Sequence, residues 1–274
     1  IMKMITIAGG IELGLISPTT IFHDYGSIEI DDYTIKNFDG RTRGDVSMQE
    51  VISQSLNTGA VYVQRLIGQE KFRELFKNFG LFESTDVDSP GEVRNKTTNL
   101  DTNTEVNFAT ASFGQGVAIT PISMIRALSA IANQGKTVCP HFVIEKKLYD
   151  GTSISYECPE SDIAVSSSTA ETMKNMMTIL VDEGLSNGRF KDPYYKVAAK
   201  TGTAQIPSPD GKYYKDRFIH SYFTFFPADN PKFAILIYQV NPKYGQLASI
   251  TLAPFATKLK DFLLPYYNVP PDRI

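Results

Sequence analysis

Apolar side chains recur at helical spacing at several places in the first half of the chain. Ile1, Met4, Ile5 and Ala8 lie three or four residues apart, which predicts that the sequence starts in, or at the beginning of, a helix. The stretch SMQE, which begins at Ser47, is a capping box and predicts a second helix that runs into VISQSLNTGAVYVQRLIG. Between these two helices, the polar stretch SIEIDDYTIK is typical of a small hairpin.

Two further helices in this half carry clear end signals. QEKFRELFKNFG is amphipathic and ends at Gly80. TPISMIRALSAIANQG has Thr120 as its N-cap, Pro121 in its first turn and Gly135 beyond its end. The polar segment between these helices, about residues 84–105, lacks strong periodicity, and we expect a loop there.

Strand patterns appear after Lys136. HFVIEKKLYDGTSISYEC predicts two strands around a turn, and KVAAKTGTAQI, IHSYFTFF and KFAILIYQV predict three more, the last two joined by a turn at PADNP. Between them, SSSTAETMKNMMTILVDEG predicts a helix with a capping box at Ser168 and Glu171 and a methionine stripe that we assign to the core. LAPFATKLKDFLLPYY predicts an amphipathic helix near the end of the chain.

These elements predict an α/β (α+β) fold that forms a single domain over residues 1–274. We expect a mostly helical lobe over about residues 1–135. Beside it, a sheet-containing lobe over about residues 136–274 would hold an antiparallel sheet flanked by helices. A chain of 274 residues is long enough to bury a sizeable core.

The charge balance excludes some partners. The chain has 27 Lys and Arg residues against 30 Asp and Glu, which gives a net charge of -3. Nucleic-acid binding needs a concentrated basic face, and the sequence shows none, so we expect no nucleic-acid partner. No apolar run reaches the roughly 18 to 20 residues that cross a bilayer.

The two cysteines flank the predicted hairpin that turns at Asp150 and Gly151. Counted outward from that turn, Cys139 and Cys158 are not opposite each other, so we expect two unpaired thiols rather than a disulfide. His23, His141 and His220 are far apart in sequence and show no ligand spacing. We therefore expect no metal site and no cofactor.

The stretch KTGT, Lys200 to Thr203, is a candidate for binding a carboxylate. A cation, two hydroxyl groups and a glycine that lets a ligand approach the backbone lie together on one predicted strand. A strand with a bulge and a solvated lysine explains the same residues equally well.

Two other short motifs are weak when taken alone. SLN, from Ser55 to Asn57, sits where the second helix should end, and an asparagine that caps this end is the simpler explanation. SFGQGVAIT has two glycines ahead of a helix, but it lacks the Gly-Lys-Ser/Thr ending of a phosphate-binding loop. A tightly packed turn is the better interpretation.

These motifs are stronger evidence for a functional site when they are considered together, in chain order. Class A β-lactamases and penicillin-binding proteins share a Ser-x-x-Lys element, a Ser-x-Asn element and a Lys-Thr-Gly element. Here the second is at Ser55 and the third at Lys200, and Lys3 fits the first if a serine directly precedes Ile1. We expect that serine, either chemically modified or otherwise outside the given sequence, to be the nucleophile.

The chain resembles the transpeptidase domain of class B penicillin-binding proteins, most closely the cell-division type, over nearly its whole length. The matching stretches, in family order, are GGIELGLI, IKNFDG, ISQSLNTGA, SFGQGVAITPISMIRA, VAAKTGTAQ and FFPADNPKFAILIY. The resemblance implies the penicillin-binding and serine β-lactamase-like transpeptidase fold. It assigns catalytic roles to Lys3, Ser55, Asn57 and Lys200, and substrate binding to Thr201, Gly202 and Thr203.

The resemblance also implies the chemistry of the site. A serine hydroxyl needs a neighbour that removes its proton, and a lysine does so only when neutral. Lys3 would be that base, Ser55 would relay a proton to the leaving amine, and Asn57 would hold the substrate amide. The KTGT strand would bind the terminal carboxylate. Tyr213 and Tyr214 follow this strand in a loop and could border the cleft.

The implied activity is peptidoglycan D,D-transpeptidation. The expected ligands are stem peptides ending in D-Ala-D-Ala and β-lactams that bind covalently, and the expected protein partners are a membrane glycan polymerase and division proteins. The resemblance further implies an extracytoplasmic domain whose parent protein has a single-pass anchor in the bacterial membrane. Two alternatives remain: a serine β-lactamase, which would hydrolyse nitrocefin continuously, and a non-catalytic penicillin-binding division scaffold.

Overall fold

Helices and short strands alternate along the chain, and this computed structural model describes residues 1–210 and 212–273. The helices are α1 (Lys3–Glu12), α2 (Met48–Ser53), α3 (Asn57–Ile67), α4 (Gln69–Asn78), α5 (Glu105–Phe113), α6 (Pro121–Ala132), α7 (Ser167–Ile179), α8 (Ala248–Thr251) and α9 (Ala253–Tyr266). The strands are β1 (Ile21–Asp24), β2 (Ser27–Ile30), β3 (Tyr33–Lys36), β4 (Gly44–Ser47), β5 (Glu145–Lys147), β6 (Ser153–Ser155), β7 (Ala198–Pro207), β8 (Tyr213–Phe226) and β9 (Phe233–Val240).

Helix α1 lies at the centre of the helical half. It contacts α3, α4, α5 and α7, and its residues from Lys3 to Gly10 are all buried. Gly9 and Gly10 make this close packing possible. A Cβ atom at Gly9 would overlap Leu75 of α4, and one at Gly10 would lie 2.6 Å from a side-chain carbon of Val63 in α3. Two bare positions therefore let two helices approach α1 closely.

An antiparallel sheet of β7, β8 and β9, in that order, forms the other half of the framework. In its register Lys200 pairs with Phe223, and Thr203 pairs with His220. Helices α6, α7, α8 and α9 all contact its strands. The predicted antiparallel sheet flanked by helices is therefore confirmed. Strand β7, which carries the KTGT stretch, lies at one edge of this sheet.

A single cluster of buried apolar side chains extends through both halves of the chain. It contains Met4 of α1, Phe76 of α4 and Phe223 of β8. The predicted core position of the methionine stripe is confirmed, since Met173 and Met177 are fully buried within the same cluster. The division into lobes near residue 135 stays a prediction. None of the described helices has the length and apolar character needed to cross a membrane.

Most predicted elements are present with their end signals. Ser47 forms the capping box of α2, and Thr120 caps α6 with Pro121 in its first turn. The hairpin predicted from SIEIDDYTIK is the pair β2 and β3, which meet antiparallel. Strands β1 and β4, which pair from Ile21 opposite Ser47, and helix α5 were not predicted.

Two helix ends differ from the prediction. Helix α2 ends at Ser53 and a new helix starts at Asn57, so Asn57 opens α3 instead of capping the end of α2. The N-cap of α7 is Ser166, not Ser168. Ser166 is held in place by Glu12 of α1, whose carboxylate accepts hydrogen bonds from its N–H (2.9 Å) and its hydroxyl (2.7 Å). This contact between distant segments does not show in the local pattern.

The expectation of two unpaired thiols is wrong, because Cys139 and Cys158 form a disulfide with a Cα–Cα distance of 5.9 Å. The hairpin ladder ends at Glu145, so counting its register outward to Cys139 was not valid. His141 Nδ1 lies 3.6 Å from the Cys158 sulfur, a contact that was not predicted because the histidines show no ligand spacing in the sequence. The bonded sulfurs are not thiolates, which are the form that ligates metals.

Candidate active site

Three polar side chains from distant parts of the chain meet in one place. Nζ of Lys3 donates a hydrogen bond to the hydroxyl oxygen of Ser55 over 3.2 Å, and Nζ of Lys200 donates to the same oxygen over 3.0 Å. Lys200 also donates to the carbonyl oxygen of Thr201 over 2.9 Å. The structure thus brings together the three side chains from which the sequence predicted a site.

Lys3 reaches this place from the first turn of α1. Its side chain is only 8% exposed, and the neighbouring Met2 and Met4 are buried as well. Burial disfavours the ammonium form and holds the pKa of Lys3 well below its usual range. The positive charge of Lys200 lowers the same pKa further. A lysine in this setting becomes neutral at a lower pH than a free lysine and so is suited to act as a base.

Ser55 occupies the turn that closes α2. The N–H of Leu56 donates to the carbonyl oxygen of Val51 (2.9 Å), and the N–H of Ser55 donates to that of Ile52 (3.1 Å). This pair of bonds is a Schellman motif, in which the left-handed residue is usually glycine. Ser55 adopts that conformation, with φ 57°, despite its side chain. The unusual backbone directs its hydroxyl group to the two lysines.

Lys200 and Gly202 lie on the same face of β7, because side chains alternate along a strand. A Cβ atom at Gly202 would lie 2.7 Å from the backbone nitrogen of Ile1, so only glycine lets α1 begin this close to the strand. Lys200 and Lys3 both lie close enough to the backbone nitrogen of Ile1 to act on it electrostatically. The start of α1 therefore lies next to both lysines.

Lys200 is 1% exposed, and this burial lowers its pKa to about 8. The hydrogen bonds of its ammonium group go to a hydroxyl and a carbonyl oxygen, and no carboxylate pairs with it among the described residues. A buried cation without an anion is costly, and a negatively charged ligand would relieve that cost. The strand is therefore electrostatically prepared for an anion.

Thr201 and Thr203 share the opposite face of β7. The hydroxyl oxygen of Thr203 accepts a hydrogen bond from the N–H of Ala248 in α8 over 3.3 Å. His220, opposite Thr203 in β8, is fully buried, and its Nδ1 lies 2.7 Å from the Thr251 hydroxyl, also in α8. Helix α8 is thus bonded to both strands beside the KTGT stretch.

Asn57 begins α3, two residues after Ser55. Its side-chain Nδ2 donates to the carbonyl oxygen of Lys36 over 2.8 Å. That bond fixes the orientation of the amide and leaves Oδ1 as an acceptor for a ligand N–H. Its backbone N–H donates over 2.8 Å to Oδ1 of Asn37, which lies in the stretch IKNFDG.

Sequence reasoning expected Tyr213 and Tyr214 in a loop, but the structure places both at the start of β8. The hydroxyl oxygen of Tyr213 accepts a hydrogen bond from the N–H of Gly116 over 3.0 Å, which joins this strand to the SFGQG turn.

Sequence reasoning missed Asp24. Asp24 is fully buried at the end of β1 and bonds Asn37. Side chains two positions apart in a strand point to the same side, so a strand that buries Phe22 also buries Asp24. This spacing was the available sequence signal for Asp24.

The arrangement can perform acyl transfer. It combines a lysine that loses its proton easily, a hydroxyl group shared by two amines, and a second lysine whose charge attracts an anion. These are the components that activate a nucleophile and guide a proton to a leaving group.

Two curated bacterial proteins are similar to this chain over nearly its whole length. Stage V sporulation protein D of Bacillus subtilis is 31% identical, over 99% of this chain and 42% of that protein. Penicillin-binding protein PbpB of Mycolicibacterium smegmatis is 30% identical, over 98% of this chain and 43% of that protein. The chain therefore spans less than half the length of these two relatives.

A solved structure shows the same fold. Penicillin binding protein 3 from Mycobacterium tuberculosis, complexed with aztreonam, superposes with a TM-score of 0.90 at 28% identity, covering 99% of this chain and 63% of that one. Residues 1–259 match the family model of the penicillin binding protein transpeptidase domain. The chain belongs to this transpeptidase family.

Proposed function

We propose that this chain is the transpeptidase domain of a peptidoglycan D,D-transpeptidase, and that its nucleophile is a serine bonded to the backbone nitrogen of Ile1. The observation that carries the proposal is the convergence of Lys3 and Lys200 on Ser55 beside that nitrogen. A serine three residues before Lys3 lies one helical turn away, on the same face. Membership in the transpeptidase family supports the same assignment.

The first chemical step is acylation. Neutral Lys3 takes the proton of the serine hydroxyl as its oxygen attacks the carbonyl carbon of the penultimate D-alanine. The backbone N–H groups of Thr203 and of the serine stabilise the negative oxygen that forms, and such a donor is typically worth about 10²–10³ in rate. Ser55 then passes its proton to the nitrogen of the terminal D-alanine and takes one from Lys3, which becomes neutral again. The C–N bond breaks, and D-alanine leaves.

The second step transfers the acyl group. The amine of a neighbouring stem peptide attacks the acyl-serine ester, the C–O bond breaks, and the serine oxygen regains a proton. The product is a new amide cross-link. A β-lactam opens by the same attack, but its leaving nitrogen stays tethered to the acyl group, so the serine remains blocked.

The KTGT strand and Asn57 bind the acyl donor. The positive charge of Lys200 and the hydroxyl groups of Thr201 and Thr203 receive the terminal carboxylate of D-Ala-D-Ala, since the buried ammonium has no anionic partner among the described residues. Gly202 lets the start of α1, which would carry the nucleophile, lie directly against this strand. Oδ1 of Asn57 accepts the N–H of the peptide, because the bond of its Nδ2 to Lys36 sets its orientation.

The proposal also concerns the whole protein. Its substrate, the D-Ala-D-Ala stem peptide, is a component of the bacterial wall, so the domain works outside the cytoplasm and its parent protein is anchored in the membrane. A membrane glycan polymerase is the partner that would supply new glycan strands for cross-linking, and division proteins would complete the assembly. Membership in the transpeptidase family supports the cell-wall substrate.

The proposal is tested by mapping a penicillin adduct. The full-length protein is labelled with a fluorescent penicillin and digested, and the modified peptide is identified by mass spectrometry. We expect the adduct on a serine directly joined to Ile1, and no adduct when that serine is replaced by alanine. An adduct on another residue, or a residue other than serine at that position, contradicts the assignment of the nucleophile.

A second measurement separates transpeptidation from hydrolysis. With nitrocefin we expect one equivalent to be opened rapidly and then almost none, together with D-alanine release and cross-linked product from a stem-peptide donor and an amine acceptor. Sustained nitrocefin turnover would instead show a β-lactamase. Failure to label at all would show a non-catalytic scaffold.

A further inference from the structure

A buried carboxylate lies behind the turn between α2 and α3. Asp24 is 0% exposed. Its oxygens accept hydrogen bonds from two backbone groups, the N–H of Gly26 (3.0 Å) and the N–H of Arg43 (3.1 Å). They also accept from two side chains, Nδ2 of Asn37 (3.0 Å) and the hydroxyl of Thr58 (2.7 Å). Each of these donors is an uncharged group. The carboxylate is therefore held by hydrogen bonds and not by an ion pair.

One arm of this network runs through Asn37 to α3. Because Nδ2 of Asn37 donates to both oxygens of Asp24, its Oδ1 must point the other way, to the start of α3. There it accepts from the N–H of Asn57 (2.8 Å) and the N–H of Thr58 (3.3 Å). The N-cap residue Leu56 has no side chain that caps the helix. Asn37 therefore caps α3 from a separate part of the chain.

A second arm runs through Arg43 to the other side of the turn. While its backbone N–H donates to Asp24, its side-chain Nε donates to Oε1 of Gln54 over 3.0 Å. The remaining guanidinium nitrogens are held by Asp39 at 2.7 Å. Gln54 directly precedes Ser55, so both neighbours of the Ser55 turn are connected to the same buried carboxylate.

We propose that Asp24 and Asn37 are positioning residues, which hold Ser55 and Asn57 in the geometry that acylation needs. The inference rests on the function proposed above. Ser55 has a left-handed backbone, which is unfavourable for a residue with a side chain. Without the two arms the turn can relax, and a displacement of about 1 Å at a reacting group can cost about 10²-fold in rate.

Exchanging the two polar groups tests the inference. Asp24→Asn puts two amides face to face, and Asn37→Asp puts two carboxylates face to face. The double variant Asp24→Asn/Asn37→Asp restores the hydrogen bond between the two side chains, although the amide at position 24 can no longer accept from both N–H groups that bond the carboxylate. We expect each single change to lower the acylation rate of the full-length protein at pH 7 by about 10–100-fold. We expect the double variant to be faster than both single variants.

The Asn37→Asp variant gives a second readout. Two facing carboxylates cannot both stay ionised without repulsion, so the pair takes up a proton as the pH falls, and that proton restores the hydrogen bond. Of the nearby charges, Arg43 stays protonated, and Asp39 stays ionised because its bond to Arg43 lowers its pKa to about 2. The ratio of variant to wild-type acylation rates should therefore rise between pH 8 and pH 5.

Asn95 provides the matched control. Its Oδ1 accepts the N–H of Thr120 (2.8 Å) and its Nδ2 donates to the carbonyl oxygen of Leu81 (2.9 Å), so it supports the start of α6 as Asn37 supports that of α3. Asn95→Asp should lower the melting temperature and leave acylation of the folded protein at the wild-type rate.

The outcomes separate the two proposals. An unlabelled wild-type protein overturns the proposed function and this inference with it. A labelled wild type whose folded single variants acylate within twofold of it overturns the inference alone. So does a folded double variant that is not faster than both single variants, because the restored bond between the two side chains should then have improved the geometry of the turn.

Discussion

Nζ of Lys200 lies 3.0 Å from the hydroxyl oxygen of Ser55, a residue 145 positions earlier in the chain. The contact joins the sheet to the helical half, and it is made by an ammonium group that is almost fully buried. A protein that only needed stability would not keep an unpaired cation there, because its desolvation is not repaid by a carboxylate. The pair therefore has consequences both for activity and for stability.

The first consequence concerns the pH dependence of acylation. Lys3 acts as a base only when neutral, so the rate should rise with pH along a limb well below the usual lysine pKa. Lys200 attracts the carboxylate only when charged, so the rate should fall above about pH 8 as it loses its proton. The second-order rate constant for acylation by a chromogenic β-lactam, measured from pH 5 to pH 10, should therefore show a bell-shaped pH dependence.

The variant Lys200→Arg identifies the alkaline limb. Arginine keeps its charge over the whole range, so the limb near pH 8 should disappear while the acidic limb remains. An unchanged alkaline limb would show that another group sets it.

The second consequence concerns stability at neutral pH. The pKa of Lys200 is lowered from 10.5 to about 8, which means that the folded state holds this proton less well than the unfolded state. Stability therefore increases from pH 8 to pH 10.5, and at pH 7 the charge costs at most about 3 kcal/mol. Lys200→Met should raise the free energy of unfolding in urea at pH 7 and abolish acylation. A Lys200→Met protein that loses acylation and is also less stable than the wild type would mean that the ammonium group stabilises the fold.

The strain at Ser55 predicts a difference between two substitutions. Ser55→Gly and Ser55→Ala both remove the hydroxyl group, so both should slow acylation to a similar extent. At φ 57° glycine has no steric penalty, whereas alanine keeps it. We expect Ser55→Gly to be more stable than Ser55→Ala by about 1 kcal/mol in urea unfolding. Equal stabilities would indicate that the turn has changed its conformation.

Gly202 should tolerate no side chain. A Cβ atom there would lie 2.5 Å from the hydroxyl oxygen of Ser221 and 2.7 Å from the backbone nitrogen of Ile1. The clash with Ser221 can be removed by a smaller side chain, but the clash with the backbone nitrogen of Ile1 cannot be removed by substitution. We therefore expect Gly202→Ala to reduce acylation by at least about 10²-fold, as a displacement of about 1 Å does, and the addition of Ser221→Ala not to restore it. Ser221→Ala alone is the control, and a rescued double variant would contradict the argument.

The sequence predicted those parts of the structure whose signals are local. Helix α6 carries its own N-cap, proline and closing glycine, and the three sheet strands carry their own apolar runs. The site residues Lys3, Ser55 and Lys200 were predicted because their motifs occur in a fixed order, although each motif alone is weak. Their convergence is visible only in three dimensions.

The features that were missed depend on contacts between distant segments. Asp24 is one aspartate among many in the sequence, and its burial follows from the packing of β1 against α3. Ser166, and not Ser168, caps α7 because Glu12 of α1 holds it. Helix α5 is rich in small and β-branched residues, so its apolar periodicity is weak although its core side chains are buried.

The disulfide was mispredicted for a related reason, and it gives the last prediction. Cys139 and Cys158 are separated by 19 residues, and the hairpin strands between them, β5 and β6, are exposed along their whole length. Closing a loop of this size lowers the entropy of the unfolded chain and is typically worth about 3 kcal/mol. Within the part of the chain that the structure describes, β5 and β6 pair only with each other and contribute no residue to the site, so acylation should not depend on the bond. Cys139→Ser/Cys158→Ser should therefore lower the free energy of unfolding by up to that amount and leave the acylation rate unchanged at 25 °C. The wild-type protein treated with a dithiol reductant should behave in the same way, and a loss of acylation in either sample would show that the hairpin supports the site.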